Sequence, residues 1–453
     1  VSGSAGSNAL RALPLSLRLA AFRALEALAD RRTRRPGAPG LQSPQASRSK
    51  SPAKSLWVFV STIGELNAIE PFLQRLLVEL GQPRLTLLSD RTVYADAYRA
   101  RHPDADVVFL SGSSAQARQL AQDAPPMLLV VAEIPALLHD APCRLSFATV
   151  HAARAAGAPV VLVNGWGYGY RPPSRMDLLE TALFGADYLQ TFDLLLVQTP
   201  EFAARLLTAG AAAERVVVVG NLKFDAMDQT AWSPAQARSP VLLSALLAAQ
   251  RNTIVAGCVT DADEQERVLD AFGQLQRQDA HCLLVLAPRH PENPAVMQRL
   301  RALLAERGLA CAFRSELPDA PLAASVAVLV LDTMGELRDF YAAARVAHVG
   351  VDHNVLEPMR FGKPVTVSPG WDKTYPSYPV YRLLRQQDAL LQAADADSLR
   401  QHWARCLAQD GTSSDAGART RQALAAASGA TERHFRALNP WLAALRGRTH
   451  ASA

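Results

Sequence analysis

Residues 56–79 read LWVFVSTIGELNAIEPFLQRLLVE, and the fold is decided there. Leu56–Val60 is a continuous apolar run rather than an alternating one, the pattern of a strand covered on both faces. Ser61, Thr62, Ile63 and Gly64 form a turn, and from Glu65 the apolar residues recur at helical spacing. A strand, a short turn and a helix make the opening unit of a parallel α/β domain. Glu65 then sits at a helix start on the carboxyl edge of a parallel sheet, the edge at which such sheets bind ligands.

The pattern repeats on both sides of a break. Strands are expected at Leu56–Val60, Leu85–Leu88, Val107–Leu110, Met127–Val131, Val160–Val163, Leu194–Val197 and Val216–Val219. A second series covers Thr253–Ala256, Cys282–Ala287, Ala310–Phe313, Val326–Leu331, Val346–Val349 and Val365–Val367. The spacers are mostly long enough for crossover helices. The expected fold class is α/β, with two Rossmann-like domains facing their strand carboxyl ends toward a shared cleft. The first domain spans residues 56–225, a connection 226–250, the second domain 251–424, and a helical tail 425–453.

Composition agrees with two domains plus tails. The chain has 453 residues, 49% hydrophobic and 20% charged, which reads as globular. Its net charge of +5 is uneven: residues 1–55 carry ten Lys/Arg and two Asp/Glu, and the rest carries 37 basic against 40 acidic residues. The basic character belongs to the N-terminal arm, so a nucleic-acid partner is not expected. Five cysteines without a CxxC pair fit a reduced, cytosolic chain with neither a disulfide framework nor a zinc site. No apolar run reaches the roughly 18–20 residues of a spanning helix.

In the arm (residues 1–35) Leu10, Leu13, Leu17, Ala21, Ala24 and Leu28 share a helical face, while Leu15, Leu19 and Phe22 lie off it. Two readings stand open. The helix packs on the protein or stays disordered, or it lies on an anionic membrane surface with Arg31, Arg32, Arg34 and Arg35 at the head groups. Residues 36–55, rich in Pro, Ser, Gly and Gln, read as a linker.

From spacing alone, Glu65 is either a favourable first-turn acid or a general base kept ionised by the helix start. A series of motifs bears on the choice: STIGELNAIEP (61–71), VVLVNGWGYGYRPP (160–173), VGNLKFD (219–225), LAPRHPEN (286–293), LDTMGELRDFYAAARVAHVG (331–350) and HNVLEPMRFGKPV (353–365). In this order they resemble the motifs of the bacterial 3-deoxy-D-manno-octulosonic acid (Kdo) transferases, over about Leu56 to Val367.

The resemblance implies a GT-B glycosyltransferase that is inverting and metal-independent. It would transfer Kdo from CMP-Kdo, a nucleotide sugar, to a lipid A precursor or another lipid-linked saccharide. It would act at the cytoplasmic face of the inner membrane as a peripheral protein, with no cofactor beyond the donor substrate. Glu65 is then the catalytic base. Arg289 would hold an anionic oxygen of the donor, unless it is a surface residue. Thr333, Met334, Gly335 and Glu336 open a helix whose backbone N–H groups suit a phosphate, with Met334 on the base or ribose or simply in the core. Asn354 and Glu357 open another helix, with Glu357 on the ribose. Lys223 pairs with an acidic ligand group or bridges the domains. Ser61, Gly64, Glu133 and Asn164 belong to the acceptor side.

Departures from the family pattern fall at Gly257–Thr260, where the usual G-S-T-H reads GCVT, at Gly350–Asp352, where a glycine-rich stretch is shortened, and around Glu133, Pro135 and Asn164. They leave open a GT-B enzyme with another nucleotide sugar or acceptor, and a non-catalytic nucleotide-sugar-binding scaffold.

Overall fold

The computed structural model of the chain describes residues 13–33, 54–133, 145–167, 175–227, 232–373, 375, 377–409 and 415–450. Two compact units emerge: Val1–Ala226 with Gly429–Ala453, and Met227–Ser428. Each is built on a seven-stranded, all-parallel sheet.

In the first unit the strands are β1 (Ser55–Phe59), β2 (Arg84–Ser89), β3 (Asp106–Phe109), β4 (Pro126–Ala132), β5 (Val160–Gly165), β6 (Leu194–Val197) and β7 (Val216–Val218), in the order β3-β2-β1-β4-β5-β6-β7. β1 is buried along its whole length, and its alternate side chains feed two different cores. Leu56, Val58 and Val60 pack with Leu66, Phe72, Phe435 and Leu438. Trp57 and Phe59 pack with Phe22, Phe147, Phe184 and Phe202. The continuous apolar run follows from this two-sided burial.

The second unit holds β8 (Asn252–Val259), β9 (Cys282–Pro288), β10 (Cys311–Phe313), β11 (Val328–Val330), β12 (Val346–Val349), β13 (Val365–Val367) and β14 (Leu390–Gln392), in the order β10-β11-β9-β8-β12-β13-β14. β14 has no counterpart among the expected strands. It is a three-residue edge strand that is only partly buried, too short and too polar in its flanks to make a run. In both sheets the strand order reverses at the centre, between β1 and β4 and between β8 and β12. Turns at these switch points are where open parallel sheets leave room for ligands.

The compact units divide the chain differently from the expected bounds at two places. The second unit begins at Met227, and within it Pro240–Ala249 is a helix with Leu242, Leu243 and Leu246 buried. Residues from Gly429 onward belong to the first unit rather than forming a separate tail. Gly429 has φ +85°, a conformation that costs glycine little, and it ends the helix Asp415–Ala427 and lets Ala430–His450 start in a new direction.

The arm packs on the first unit, one of the readings the sequence leaves open. Its helix, Leu15–Thr33, docks on the first unit through the residues expected to lie off its apolar face. Leu19 and Phe22 are buried, Phe22 meets Phe184 edge-on at 5.5 Å, and buried Arg18 pairs with Asp187 at 2.6 Å. A buried ion pair decides the docked face, and apolar counting does not see it. Leu13, Leu17 and Leu28 stay exposed. Arg34, Arg35 and most of the linker lie outside the described residues. Among the described residues no helix is long and apolar enough to cross a membrane.

Candidate active site

Thr62 caps the helix Ile63–Glu79, its hydroxyl accepting from the Glu65 N–H at 3.2 Å. This folds the Glu65 carboxylate back over the end of β1, where it accepts from the Ser61 N–H at 2.7 Å. Ser61 Oγ donates to Asp90 at 2.6 Å. The sequence suggests that the helix start keeps Glu65 ionised; burial wins instead. Glu65 is 3% exposed, and its carboxyl is pushed up to about 8 by burial and by the neighbouring Glu133, against the Ser61 N–H and Lys223. Loss of hydration outweighs the fraction of a charge at a helix end.

Glu133 arrives from the other side of the switch point, just after β4. Its φ is +58° and that of Asn164, in β5, is +54°, both in a region that non-glycine residues seldom occupy. The strain is matched by a closed set of hydrogen bonds. The Glu133 N–H donates to Val163 O, and the Trp166 N–H to Glu133 O. Asn164 Nδ2 donates to Glu133 Oε1 at 3.0 Å, and Asn164 Oδ1 accepts from the Leu222 N–H at 2.8 Å. Lys223 Nζ lies 2.9 Å from the same Glu133 oxygen. Lys223 is thus paired with Glu133 within the first unit. Gly64 lies in the first turn of the helix Ile63–Glu79, where a Cβ would meet Thr62 Oγ1 at 3.7 Å. Pro135, next to this site in sequence, is outside the described residues.

The second unit gathers a different chemistry. Arg289 follows β9; its N–H donates to Val259 O and its Nη2 donates to Tyr375 Oη at 2.9 Å. Across the switch point stand the turns after β8 and β12. Gly350 lies against the Cys258 carbonyl so closely that a Cβ there would sit 2.0 Å from its oxygen. Cys258 has φ +55°, and burial, together with Glu357, pushes its thiol up to about 12. Thr260 Oγ donates to Cys258 O at 3.0 Å, so this hydroxyl is engaged by its own turn.

The helices expected at 336 and 354 are short: Leu337–Ala343 and Leu356–Met359. Their dipoles are correspondingly slight, and the turn N–H groups matter more. The role expected of Glu336 rests on its backbone N–H, and its side chain has another use. Its carboxylate is buried and accepts from Ser239, Thr333 and Arg314, fixing the Thr333–Gly335 turn from behind. Arg238 Nη1 donates to Met334 O at 2.7 Å, and Met334 is 68% exposed, not core. Asn354 Nδ2 donates to Glu357 Oε1 at 3.4 Å, while burial raises the Glu357 carboxyl.

Four residues escaped the sequence reading. His353 lies within a quoted motif, and its buried Nε2 has no hydrogen-bond partner among the described residues; burial and Arg289 push the ring down to about 4, so it is neutral. Tyr375, Arg238 and His434 lie outside every quoted motif, and their places depend on chain crossings that no local pattern announces. Among the described residues, no three His, Cys, Asp or Glu side chains converge as a metal would require.

Residues 31–226 match the family model described as 3-deoxy-D-manno-octulosonic-acid transferase (kdotransferase). The 3-deoxy-D-manno-octulosonic acid transferase of Bordetella pertussis is 32% identical over 435 residues, covering 91% of this chain and 95% of that protein. That of Aquifex aeolicus is 27% identical over 327 residues, 70% of this chain and 76% of that one. A glycosyltransferase structure from Rickettsia africae aligns with a TM-score of 0.53 at 11% identity, over 88% of this chain and 97% of that one, a likeness of fold. The chain therefore belongs to the 3-deoxy-D-manno-octulosonic acid transferase family, glycosyltransferases of the GT-B fold.

Proposed function

We propose that the protein transfers Kdo from CMP-Kdo to a hydroxyl of a lipid A precursor, with Glu65 as the base. The observation that carries this reading is the Glu65 carboxyl, buried beside Glu133 and pushed up to about 8. A base whose affinity for the proton lies near the working pH accepts it more readily than an ordinary glutamate. The acceptor oxygen bonds to the anomeric carbon as its proton passes to Glu65 and the bond to the CMP phosphate breaks. The departing phosphate is met by Arg289 and by the turn N–H groups of Thr333–Gly335. Glu357, with Asn354 beside it, takes a ribose hydroxyl. Attack opposite the leaving group inverts the anomeric centre. Glu133, Lys223, Asn164 and Ser61 set the charge and position of Glu65 on the acceptor side.

The exposed leucines of the arm helix support a peripheral place on an anionic membrane, where a lipid-linked acceptor would be met. The docked face leaves Leu13, Leu17 and Leu28 free to enter the interface. One observation favours a second reading, a different activated sugar: the strained Cys258 turn, with its Thr260 hydroxyl engaged internally, differs where the donor phosphate is expected. Incubating the purified protein with a lipid A precursor and a panel of CMP- and UDP-sugars tests both. Product mass should rise by Kdo with CMP-Kdo alone; transfer from another sugar instead moves the assignment to the second reading.

A further inference from the structure

The helix Ala430–His450 begins against the Glu65–Glu133 site, though it is the last element of the chain. Asp225 accepts from the N–H groups of Gly429 and Thr431, at 2.7 and 2.5 Å. Arg433 Nε donates to Val219 O at 2.8 Å. Both contacts fasten the helix to the turn that carries Leu222 and Lys223. On its inner side His434 is wholly buried, its ring 5.6 Å from that of Phe72 in the Glu65 helix.

The imidazole has both nitrogens in use. Nδ1 lies 2.8 Å from Ala430 O, a carbonyl that only accepts, so Nδ1 carries the proton. Nε2 is then an acceptor, and the Asn164 N–H donates to it at 3.1 Å. The neighbouring Asn164 carbonyl accepts from Gln198 Nε2 at 2.9 Å. With its side chain on Glu133 and Leu222, Asn164 has every polar group engaged. A backbone in the left-handed region is held only when its surroundings over-determine it. Among the described residues His434 is the side chain that accepts from the Asn164 N–H, and a buried donor that loses its acceptor is costly.

We infer that His434 is a positioning residue for transfer: through the Asn164 N–H it holds the strained Asn164 conformation that aims Nδ2 at Glu133 beside Glu65. The C-terminal helix thereby completes the acceptor-side site. The inference rests on the reading of Glu65 as the base and deepens it.

The imidazole stays neutral through the range in which Glu65 titrates. Burial pushes it down to about 4, with Asp225 and Arg433 as the charges facing it. Glu65 in turn faces Glu133 from the end of β4, Lys223 from the turn after β7, Asp90 from the end of β2 and Tyr98 from the helix Ala95–Arg101. Displacing Glu133 therefore alters the pH at which Glu65 loses its proton.

The test compares full-length wild type with His434→Phe, which keeps the ring and loses the acceptor, and His434→Gln, whose amide oxygen replaces Nε2. Kdo transfer from CMP-Kdo is followed for kcat, KM and the pH dependence of kcat/KM, with CMP titration as a check on the second unit. His434→Phe should lower kcat by roughly ten- to a hundredfold, as small misplacements of catalytic groups do, and displace the ascending pH limb. CMP affinity should stay unchanged, and His434→Gln should recover most of the rate and the wild-type limb. If the Phe variant does not fold, His434→Asn, which keeps the bond to Ala430 O and lacks the second acceptor, should show the same loss. A wild-type kcat and pH limb in the Phe or Asn variant overturns the inference, as does equal loss in Phe and Gln variants. Glu65→Gln run alongside separates the two claims: near-normal turnover there removes the base reading itself, whereas an inert Glu65→Gln beside a fully active His434→Phe removes only the role of His434.

Discussion

Glu65→Gln should make the first unit more stable in alkaline solution while abolishing the reaction. In the folded chain the Glu65 carboxyl is pushed up to about 8 from an ordinary 4.5 by burial and by Glu133. A carboxyl raised in this way favours the protonated folded state. Its stabilising contribution is fully present below pH 4.5 and is lost as pH rises through about 8. Each unit of displacement is worth about 1.4 kcal/mol. The interval from 4.5 to about 8 therefore sets an upper bound on the order of 5 kcal/mol for ionising Glu65 in place. The Ser61 N–H and Lys223 act against this rise, which leaves an expected few kcal/mol. Glutamine has the shape of the protonated acid and cannot ionise. Variant and wild type should then melt together at pH 4.5 and below and separate progressively up to about pH 8. The variant should lead by roughly 5–10 °C, at the ~2–4 °C per kcal/mol usual for domains of this size. Differential scanning calorimetry at pH 5, 7 and 9 measures the gap. A gap independent of pH, or a variant less stable at pH 9, would refute the argument that burial raises Glu65.

Three further outcomes follow from the same geometry. Lys223→Met removes the cation that lowers the Glu65 carboxyl, so the ascending limb of kcat/KM should move to higher pH; a limb that stays in place contradicts the coupling. Arg289→Ala should weaken CMP binding by about 1.5–3 kcal/mol, the scale of a charge-assisted contact, and Glu357→Gln by less because the amide still accepts; calorimetric titration with CMP, and with UMP and UDP as controls, reads both. Leu17→Gln with Leu28→Gln should reduce binding to anionic vesicles without changing the melting temperature, since both side chains are exposed, and the remaining binding should weaken with salt; unaltered, salt-insensitive binding argues against the arm as a membrane contact.

Much of the fold was legible because parallel strands buried on both faces leave uninterrupted apolar runs, as Leu56–Val60 does. The strand at Leu390–Gln392 was not, since an edge position removes the need for such a run. The place of Glu65 was legible from a strand, a turn and a helix. Its proton affinity was not, because the decisive neighbours Glu133 and Lys223 arrive from distant strand ends. The face by which the arm helix docks was not legible, because the contact that docks it is the Arg18–Asp187 pair with Phe22. The use of the Glu336 carboxylate, buried against Arg314, was not legible, because no motif includes Arg314.

Single-turnover transfer from CMP-Kdo to a lipid A precursor by Glu65→Gln, at saturating donor and neutral pH, tests the central claim most directly. The account predicts unchanged CMP affinity and a transfer rate lower by roughly a hundredfold or more, the scale of losing a general base. A rate within a few-fold of wild type would contradict it.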